Sequence, residues 1–417
     1  MNMRTASLLA LLAAVALPAH AAPLEFVFGK NTPGPQAQSA SAAYSADKGF
    51  GIEGAAPPLQ PASAGGAPFL FSADVPIEGN YRVTVTLGGD QASETTVKAE
   101  LRRLMLERVA VPAGGSETRS LIVNVRTPDY LGGKVKLKSP REVVQEARAW
   151  DRRITLEFDG VPAVRALKIE PVSVPTVYIL GDSTVADQSG EPYASWGQML
   201  PRFFKPTVAV ANHAESGEST FSAKGAGRFE KILSLIRTGD YFLVQFGHND
   251  QKSKDPEAEQ KYKAILIDWA EQVKAKGATP VIVTSMYRNR FKGGEVVDTA
   301  GAYPQLARDA AKDSGALLID LHAQSRVLYE TLGADGTRAL FMHNADYSQK
   351  DGTHHGPYGA YELAKIVAQG LRDAKAPIAA ELDLPRYSPK KPLKEAEFKV
   401  PASVTVADDR PLGVAQP

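Results

Sequence analysis

The chain has 417 residues, no cysteine, and 48 Lys and Arg against 47 Asp and Glu, for a formal net charge of +1. This length exceeds that of a typical single domain and predicts two. The balanced charge argues against nucleic acid or an anionic membrane as the main partner. The lack of cysteine excludes disulfides, a cysteine nucleophile and cysteine-ligated zinc.

Residues 1–21 have the pattern of an export signal. Arg4 supplies a positive start, residues 6–17 are apolar, and residues 19–21 form a small-x-small cleavage site. The apolar run is too short to cross a bilayer, which favours cleavage near Ala21 over the alternative of a retained membrane anchor. We therefore expect export to the periplasm or the medium, with no membrane span in the mature protein.

Residues 22–172 are predicted to form an antiparallel β-sandwich. Apolar and polar residues alternate with period two, as in half-buried strands, at residues 24–28, 81–87, 119–125, 154–158 and 166–170. Glycine pairs at 88–89 and 114–115 indicate turns between such strands.

Residues 173–376 are predicted to form a flavodoxin-like, three-layer α/β/α domain with a five-stranded parallel sheet. Short apolar runs indicate strands buried on both faces, at residues 177–180, 208–211, 241–246, 280–283 and 317–320. Amphipathic segments between and after them indicate helices, at residues 229–236, 262–273, 304–311 and 357–371. The Pro-rich residues 377–417 are expected to form an irregular tail, packed only in part.

Four polar segments are expected together at the carboxyl edge of this sheet, where open α/β sheets carry their functional groups. They are residues 181–184, 212–217, 247–250 and 351–355.

These segments contain the groups of a serine hydrolase. A serine hydroxyl such as Ser183 needs a base to remove its proton, and His354 can act as that base. Asp351 can bond the other imidazole nitrogen and stabilise the imidazolium. The tetrahedral intermediate carries a negative oxygen, which the backbone N–H groups of Ser183 and Gly217 and the side-chain amide of Asn249 could bind.

The four segments together resemble the four blocks of the SGNH (GDSL-type) hydrolase family, over about residues 175–375. The sequence at 181–185, Gly-Asp-Ser-Thr-Val, resembles the variant of rhamnogalacturonan acetylesterases. The resemblance implies Ser183 as nucleophile, His354 as base and Asp351 as its partner, with an oxyanion hole from Ser183, Gly217 and Asn249.

The resemblance extends to the front half of the chain and has one departure. Around residues 43–51 the sequence is similar to a β-sandwich, galactose-binding-like, that often precedes this catalytic domain. Relatives often have arginine after the second-block glycine, where this chain has Glu218. If that arginine holds an acidic sugar in relatives, the substrate of this chain is open.

The implied activity is removal of O-acetyl groups from a plant cell-wall polysaccharide or oligosaccharide, rhamnogalacturonan by first choice, without a metal or organic cofactor. Acetylated xylan or another pectin is also open. One alternative is a lipase or thioesterase acting on longer acyl chains. The other is a carbohydrate-binding protein without catalysis. The sugar-binding residues and the oligomeric state are not predicted.

Several other side chains have a structural and a functional interpretation. His213 and His248 are expected to be structural hydrogen-bonding groups, and His355 to lie behind the site or face solvent. Asp182 and Asp250 are expected to hold their loops. Trp196 and Trp269 are expected in the core. Arg288 and Arg290 could bind a uronate or be solvated. No functional role is expected for Arg102 and Arg103.

Overall fold

The computed structural model describes residues 22–29, 37–53, 66–344 and 350–403. The predicted export signal therefore lies outside the described residues. Within them, no helix is both long and apolar enough to cross a membrane.

The front half consists of two five-stranded sheets. Its strands are β1 (Leu24–Val27), β2 (Ala37–Ser39), β3 (Phe50–Glu53), β4 (Phe69–Asp74), β5 (Gly79–Leu87), β6 (Ser93–Ala99), β7 (Arg103–Val111), β8 (Glu117–Val125), the short hairpin β9 (Asp129–Tyr130) and β10 (Gly133–Lys134), β11 (Arg153–Val161) and β12 (Val164–Pro171). The sheet orders are β2-β1-β12-β5-β8 and β3-β4-β11-β6-β7. The predicted β-sheet fold is confirmed, except that β1 and β2 pair in parallel.

The period-two pattern buries one face of each sheet. Along β5, Tyr81, Val83 and Val85 are buried while the residues between them are partly exposed. Their core also contains Phe71 and Phe158, both with no exposed surface. Burial of one such phenylalanine stabilises the fold by roughly 1.5–3 kcal/mol. Because the alternation places the apolar side chains on one face of each sheet, it favours packing of the two sheets against each other.

The predicted glycine turns lie against each other. The Gly114 N–H donates to the Gly89 carbonyl at 2.8 Å. Gly88 has φ +115°, and a Cβ there would lie 2.3 Å from the Gly115 carbonyl oxygen. Only glycine therefore fits at Gly88.

The second half is a parallel sheet covered by helices. Its strands are β13 (Thr176–Gly181), β14 (Ala209–Asn212), β15 (Tyr241–Gln245), β16 (Thr279–Val283), the hairpin β17 (Phe291–Lys292) and β18 (Glu295–Val296), β19 (Leu317–Ile319), β20 (Phe341–His343) and β21 (Lys350–His355). Its helices are α1 (Trp196–Met199), α2 (Thr220–Gly225), α3 (Arg228–Leu235), α4 (Ala258–Ala275), α5 (Tyr303–Ser314), α6 (Leu321–Arg338) and α7 (Pro357–Asp373). The order β14-β13-β15-β16-β19, with every pair parallel, confirms the predicted five-stranded sheet.

Successive residues of each central strand enter different cores. Ile179 packs with residues of α1, α6 and α7 on one face of the sheet. Its neighbour Leu180 packs with residues of α3, α4 and α5 on the other. This arrangement explains the near-continuous apolar strands, since both faces are covered.

The chain after α7 is irregular but packed as far as the structure describes it. Leu382 is buried and Phe398 contacts the rings of Tyr358 and Tyr361. Lys98, on β6, donates to the Pro401 carbonyl at 2.9 Å. Residues 377–403 thus contact both halves of the molecule.

Candidate active site

Ser183 lies in a tight turn directly after the central strand β13. The N–H groups of Val185 and Ala186 donate to the Asp182 carbonyl at 3.0 and 2.9 Å. No helix follows, since α1 begins only at Trp196. Ser183 therefore does not cap a helix, and its half-buried side chain lies at the edge of the sheet.

Asp182 holds this turn, as predicted. One of its carboxylate oxygens accepts the Thr184 N–H at 2.9 Å and the Thr184 hydroxyl at 2.7 Å. Complete burial raises the pKa of Asp182 to about 6, although the bonds from Thr184 oppose that rise. The carboxylate is thus committed to the loop and not to the reaction.

The structure brings the three predicted catalytic residues into one hydrogen-bonded line. Ser183 Oγ lies 2.8 Å from His354 Nε2, and His354 Nδ1 lies 2.7 Å from Asp351 Oδ2. The His354 and Asp351 side chains are 31% and 26% exposed, so substrate can reach the imidazole. Both residues lie on the short strand β21.

Asp351 is held in its ionised form. Its other oxygen accepts the N–H groups of Thr353 and His354 at 2.6 and 3.1 Å. Burial alone would raise the pKa of Asp351, but the bonds from the His354 side chain and from these two amides lower it below the ordinary range. A charged carboxylate is the form that can stabilise an imidazolium.

The loop carrying Gly217 is joined to the serine turn. The Glu215 N–H donates to the Gly181 carbonyl at 3.1 Å. The Gln188 side-chain amide donates to the Ser183 carbonyl at 2.7 Å and to Ser216 Oγ at 3.3 Å. Gly217 itself is exposed, with φ +80°.

Asn249 is oriented by two partners. Its Nδ2 donates to the Glu218 carbonyl at 2.9 Å, and its Oδ1 accepts Lys252 Nζ at 2.8 Å. The amide group therefore faces the loop that contains Gly217. Since –NH₂ has two hydrogens, one remains for a further acceptor.

Asp250 links the segments on either side of Asn249 and Gly217 through hydrogen bonds. Its Oδ1 accepts the N–H and hydroxyl of Thr220 at 2.9 and 2.6 Å, and its Oδ2 accepts the Gly247 N–H at 3.0 Å. It is buried, and it has the loop-holding role that the sequence predicted.

His213, His248 and His355 are buried. His213 packs between Trp150 and Tyr178, and His248 contacts the sulfur of Met286. His355 is buried and its Nε2 lies 2.9 Å from the Tyr329 hydroxyl. The expectation that His355 could face solvent is therefore wrong. Burial lowers the pKa of His355 to about 3, so the ring stays neutral.

The described residues contain no group of three or more His, Cys, Asp or Glu that could hold a metal ion. Trp196 and Trp269 are fully buried, which confirms their assignment to the core. Of the two candidate arginines, Arg288 braces the histidine strand through Thr353 Oγ1 at 3.2 Å, while Arg290 is exposed.

Cationic residues of the front half contact the loops of the candidate site, and the sequence did not predict these contacts. Arg103 pairs with Asp187 at 2.6 Å in a buried contact. Arg102 donates to the carbonyls of Gln188 and Tyr193, so both arginines make structural contacts that the sequence did not predict. Lys138 and Arg141 reach the Gly217 loop. Nothing local marks such pairs in sequence, because their partners are 70 or more positions away.

Glu218 stands where relatives often have arginine, and its surroundings explain an acid there. The side chain is buried, with Oε1 2.9 Å from Lys138 Nζ and 3.5 Å from Arg228 Nε. The Ser222 hydroxyl donates to its other oxygen. An anion at this position neutralises two cations that meet at the loop.

Comparison with known proteins agrees with this geometry. Residues 179–360 match the GDSL-like Lipase/Acylhydrolase family. The rhamnogalacturonan acetylesterase RhgT of Bacillus subtilis is 38% identical over 216 residues, covering 49% of this chain and 93% of that protein.

A second relative extends into the front half. The uncharacterised esterase YxiM of Bacillus subtilis is 30% identical over 308 residues, covering 72% of this chain and 74% of that protein. Its crystal structure, at 27% identity, aligns with 85% of this chain and 99% of its own with a TM-score of 0.48. The family match and the sequence identity to RhgT and YxiM show that the chain belongs to the GDSL-like lipase/acylhydrolase (SGNH hydrolase) family and is a carboxylic ester hydrolase.

Proposed function

We propose that the protein is a serine esterase that removes O-acetyl groups from a plant cell-wall polysaccharide, with acetylated rhamnogalacturonan as the preferred substrate. The observation that carries the proposal is the unbroken line Ser183–His354–Asp351, with contacts of 2.8 and 2.7 Å. The name of the relative RhgT supports the choice of sugar.

In the first step, Ser183 Oγ attacks the acetyl carbonyl carbon while its proton moves to His354 Nε2. His354 Nδ1–H keeps its bond to Asp351, whose charge stabilises the imidazolium. The carbonyl oxygen becomes an anion. It is received by the N–H groups of Ser183 and Gly217 and by the free hydrogen of the Asn249 amide.

The intermediate then collapses. The sugar oxygen leaves with the proton from His354, and the acetyl group stays on Ser183. Water, deprotonated by the same imidazole, attacks the acetyl-enzyme and releases acetate and free Ser183. None of these steps uses a cofactor.

The substitution Ser183→Ala tests the role of the nucleophile. We expect it to abolish acetate release from acetylated rhamnogalacturonan and p-nitrophenol release from p-nitrophenyl acetate, with an unchanged circular dichroism spectrum. Ser253→Ala, at an exposed serine that follows Asn249 in the chain, is the matched control and should retain full activity. Normal turnover by Ser183→Ala would overturn the proposal.

Substrate profiling separates the proposal from its alternatives. Acetate release from rhamnogalacturonan, other pectins and xylan, all acetylated, ranks the sugars. Nitrophenyl esters of increasing length distinguish an acetylesterase from a lipase or thioesterase, for which long chains would react faster. Polysaccharide binding without any ester cleavage would instead indicate a non-catalytic binding protein.

We also propose export, on the basis of Arg4, the apolar run at residues 6–17 and the small-x-small site ending at Ala21. Amino-terminal sequencing of the protein from periplasm or medium should give a mature chain that begins after Ala21. Recovery of the uncleaved chain in the cytoplasm would contradict this.

A further inference from the structure

Two cations of the front half converge on one carbonyl of the active-site loop. Lys138 Nζ donates to the Ser216 carbonyl oxygen at 2.7 Å, and Arg141 Nη1 lies 3.4 Å from the same atom. Lys138 Nζ also lies 3.7 Å from the position that a Cβ on Gly217 would take.

This carbonyl belongs to the peptide unit that carries the Gly217 N–H. Among the described residues the cis peptide bonds are Ser139–Pro140 and Glu191–Pro192, so the Ser216–Gly217 bond is trans. In a planar trans peptide the C=O and N–H bonds point in opposite directions. A group that fixes the Ser216 oxygen on one side therefore fixes the direction of the Gly217 N–H on the other.

The cations also strengthen this donor. A positive charge at the carbonyl oxygen withdraws electron density from the amide and makes its hydrogen a better partner for an anion, because hydrogen bonds in series polarise one another. A glycine in an exposed loop with φ +80° needs such restraint, since it is the most flexible residue.

The segment that supplies Lys138 is itself anchored. Glu142 accepts the Lys138 backbone N–H at 2.8 Å and the Trp150 indole N–H at 2.9 Å. The same carboxylate binds Arg228, at the start of α3, through two hydrogen bonds, and both side chains of this ion pair are at most 1% exposed. The lysine is therefore presented by a rigid contact between the two halves.

We infer that the front half completes the esterase site: Lys138, assisted by Arg141, is a positioning residue that aims the Gly217 N–H at the oxyanion. The inference rests on the proposed function, in which Gly217 is an oxyanion donor. It gives the front half a role in the chemical step, in addition to any role in packing or glycan binding.

A role in substrate binding would behave differently. The Lys138 side chain is 36% exposed and its charge is paired with the buried Glu218. If it bound an acidic sugar, its loss would raise KM for the polysaccharide and leave a small neutral ester unaffected. If it positions the oxyanion donor, its loss lowers kcat for every ester, including the smallest.

The experiment compares Lys138→Met, Lys138→Arg and the control Lys136→Met, whose exposed side chain lies two positions away. With p-nitrophenyl acetate, we expect Lys138→Met to lose about tenfold or more in kcat, part of the 10²–10³-fold value of an oxyanion donor, with little change in KM. Lys138→Arg should recover most of the loss. Inhibition by methylboronic acid, which forms a tetrahedral anion on the serine, should weaken by a similar factor in Lys138→Met.

An unchanged kcat in a folded Lys138→Met variant, or an effect confined to KM for the acidic polysaccharide, would overturn the inference. If Lys138→Met does not fold, Arg141→Met at the more exposed second cation gives the same reading with a smaller expected loss. Failure of the proposed function is separate, because then Ser183→Ala would keep its activity whatever Lys138 does.

Discussion

At the scale of single residues, the site depends on how each polar atom is occupied. Asp351 uses both carboxylate oxygens, one on the His354 ring and one on two backbone amides. These contacts fix the orientation of the imidazole and direct its Nε2 to Ser183 Oγ, as the proposed mechanism requires.

The variant Asp351→Asn should lower kcat by roughly 10⁴-fold, against roughly 10⁶-fold for His354→Ala, because the aspartate assists the base without replacing it.

The lowered pKa of Asp351 also makes the stability of the wild-type fold depend on pH. The ionised form stabilises the fold above the ordinary pKa near 3.9, and this contribution is lost only as pH falls through the lower folded value.

Steady-state kinetics measure the loss of kcat, and urea denaturation over a pH series measures the effect on stability. Asp351→Asn should also lose the part of the acid stability that wild type gains from this carboxylate. Equal kcat losses for the two variants would show that the aspartate acts as an obligatory part of the base and not as its support.

Two neighbouring cations favour an acidic side chain at Glu218. With Lys138 and Arg228 on either side of it, the substitution Glu218→Arg would place three cations together in a buried position. We expect a loss of about 3 kcal/mol or more in the free energy of unfolding.

Urea denaturation of Glu218→Arg and Glu218→Gln tests this. The glutamine keeps the shape and the bond from Ser222, so it should cost less than the arginine. If Glu218→Arg is as stable as wild type, the two neighbouring cations do not govern this position.

At the scale of elements, the segment of residues 138–146 and the Gly217 loop form a contact rich in carboxylates. Glu146 is buried, and burial together with the nearby Glu215 raises its pKa to about 9. An unfolded glutamate titrates near 4.3. Between these values the folded chain binds more protons than the unfolded chain, so stability falls as pH rises.

The variant Glu146→Gln should remove this penalty, because an amide donates to Glu215 without ionising. We expect it to be more stable than wild type by on the order of 1 kcal/mol at about pH 8.5, with no gain near pH 5. Thermal unfolding at both pH values measures the difference, with the exposed Glu259→Gln as control. The same pH slope in Glu146→Gln and wild type would contradict the expectation.

The elements also show what sequence can predict. The sheets of the front half were predicted from period-two alternation, as in β5, and the parallel sheet from short, near-continuous apolar runs, as in β13, because both patterns are local to neighbouring residues. The four polar segments followed from the rule that strand ends share one edge. By contrast, α6 escaped prediction, since Gly333 interrupts it with φ +69° and breaks the helical pattern.

The residues of the candidate site likewise include some that could be predicted from sequence and some that could not. Ser183, His354 and Asp351 could be predicted because their motifs are local and ordered along the chain. The cations Arg103 and Lys138 could not, because each matters only through a partner in the other half. The sequence on either side of each cation does not distinguish it from an ordinary charged residue on the surface.

At the scale of the whole molecule, each half has its own apolar core, although Leu104 of the front half packs in the core of the second, and the halves share buried ion pairs. The side chains of Arg103 and Asp187 are 2% and 3% exposed at their contact, and Arg228 and Glu142 are equally hidden. Separation of the halves would leave these charges unpaired in apolar surroundings, at a cost of several kcal/mol per ion.

Thermal unfolding should therefore occur in one cooperative transition, with loss of esterase activity at the same temperature. Scanning calorimetry combined with residual activity measures this. Two transitions, with activity surviving the first, would show that the front half unfolds without disturbing the site.

In the proposed mechanism an acetyl group is carried covalently by Ser183. Acid quenching during turnover of p-nitrophenyl acetate, followed by peptide mass spectrometry, tests it most directly. We expect one acetyl group on the Ser183 hydroxyl, enriched in Asp351→Asn and absent from Ser183→Ala. Acetylation of a different residue, or acetate release by Ser183→Ala at the wild-type rate, would contradict it.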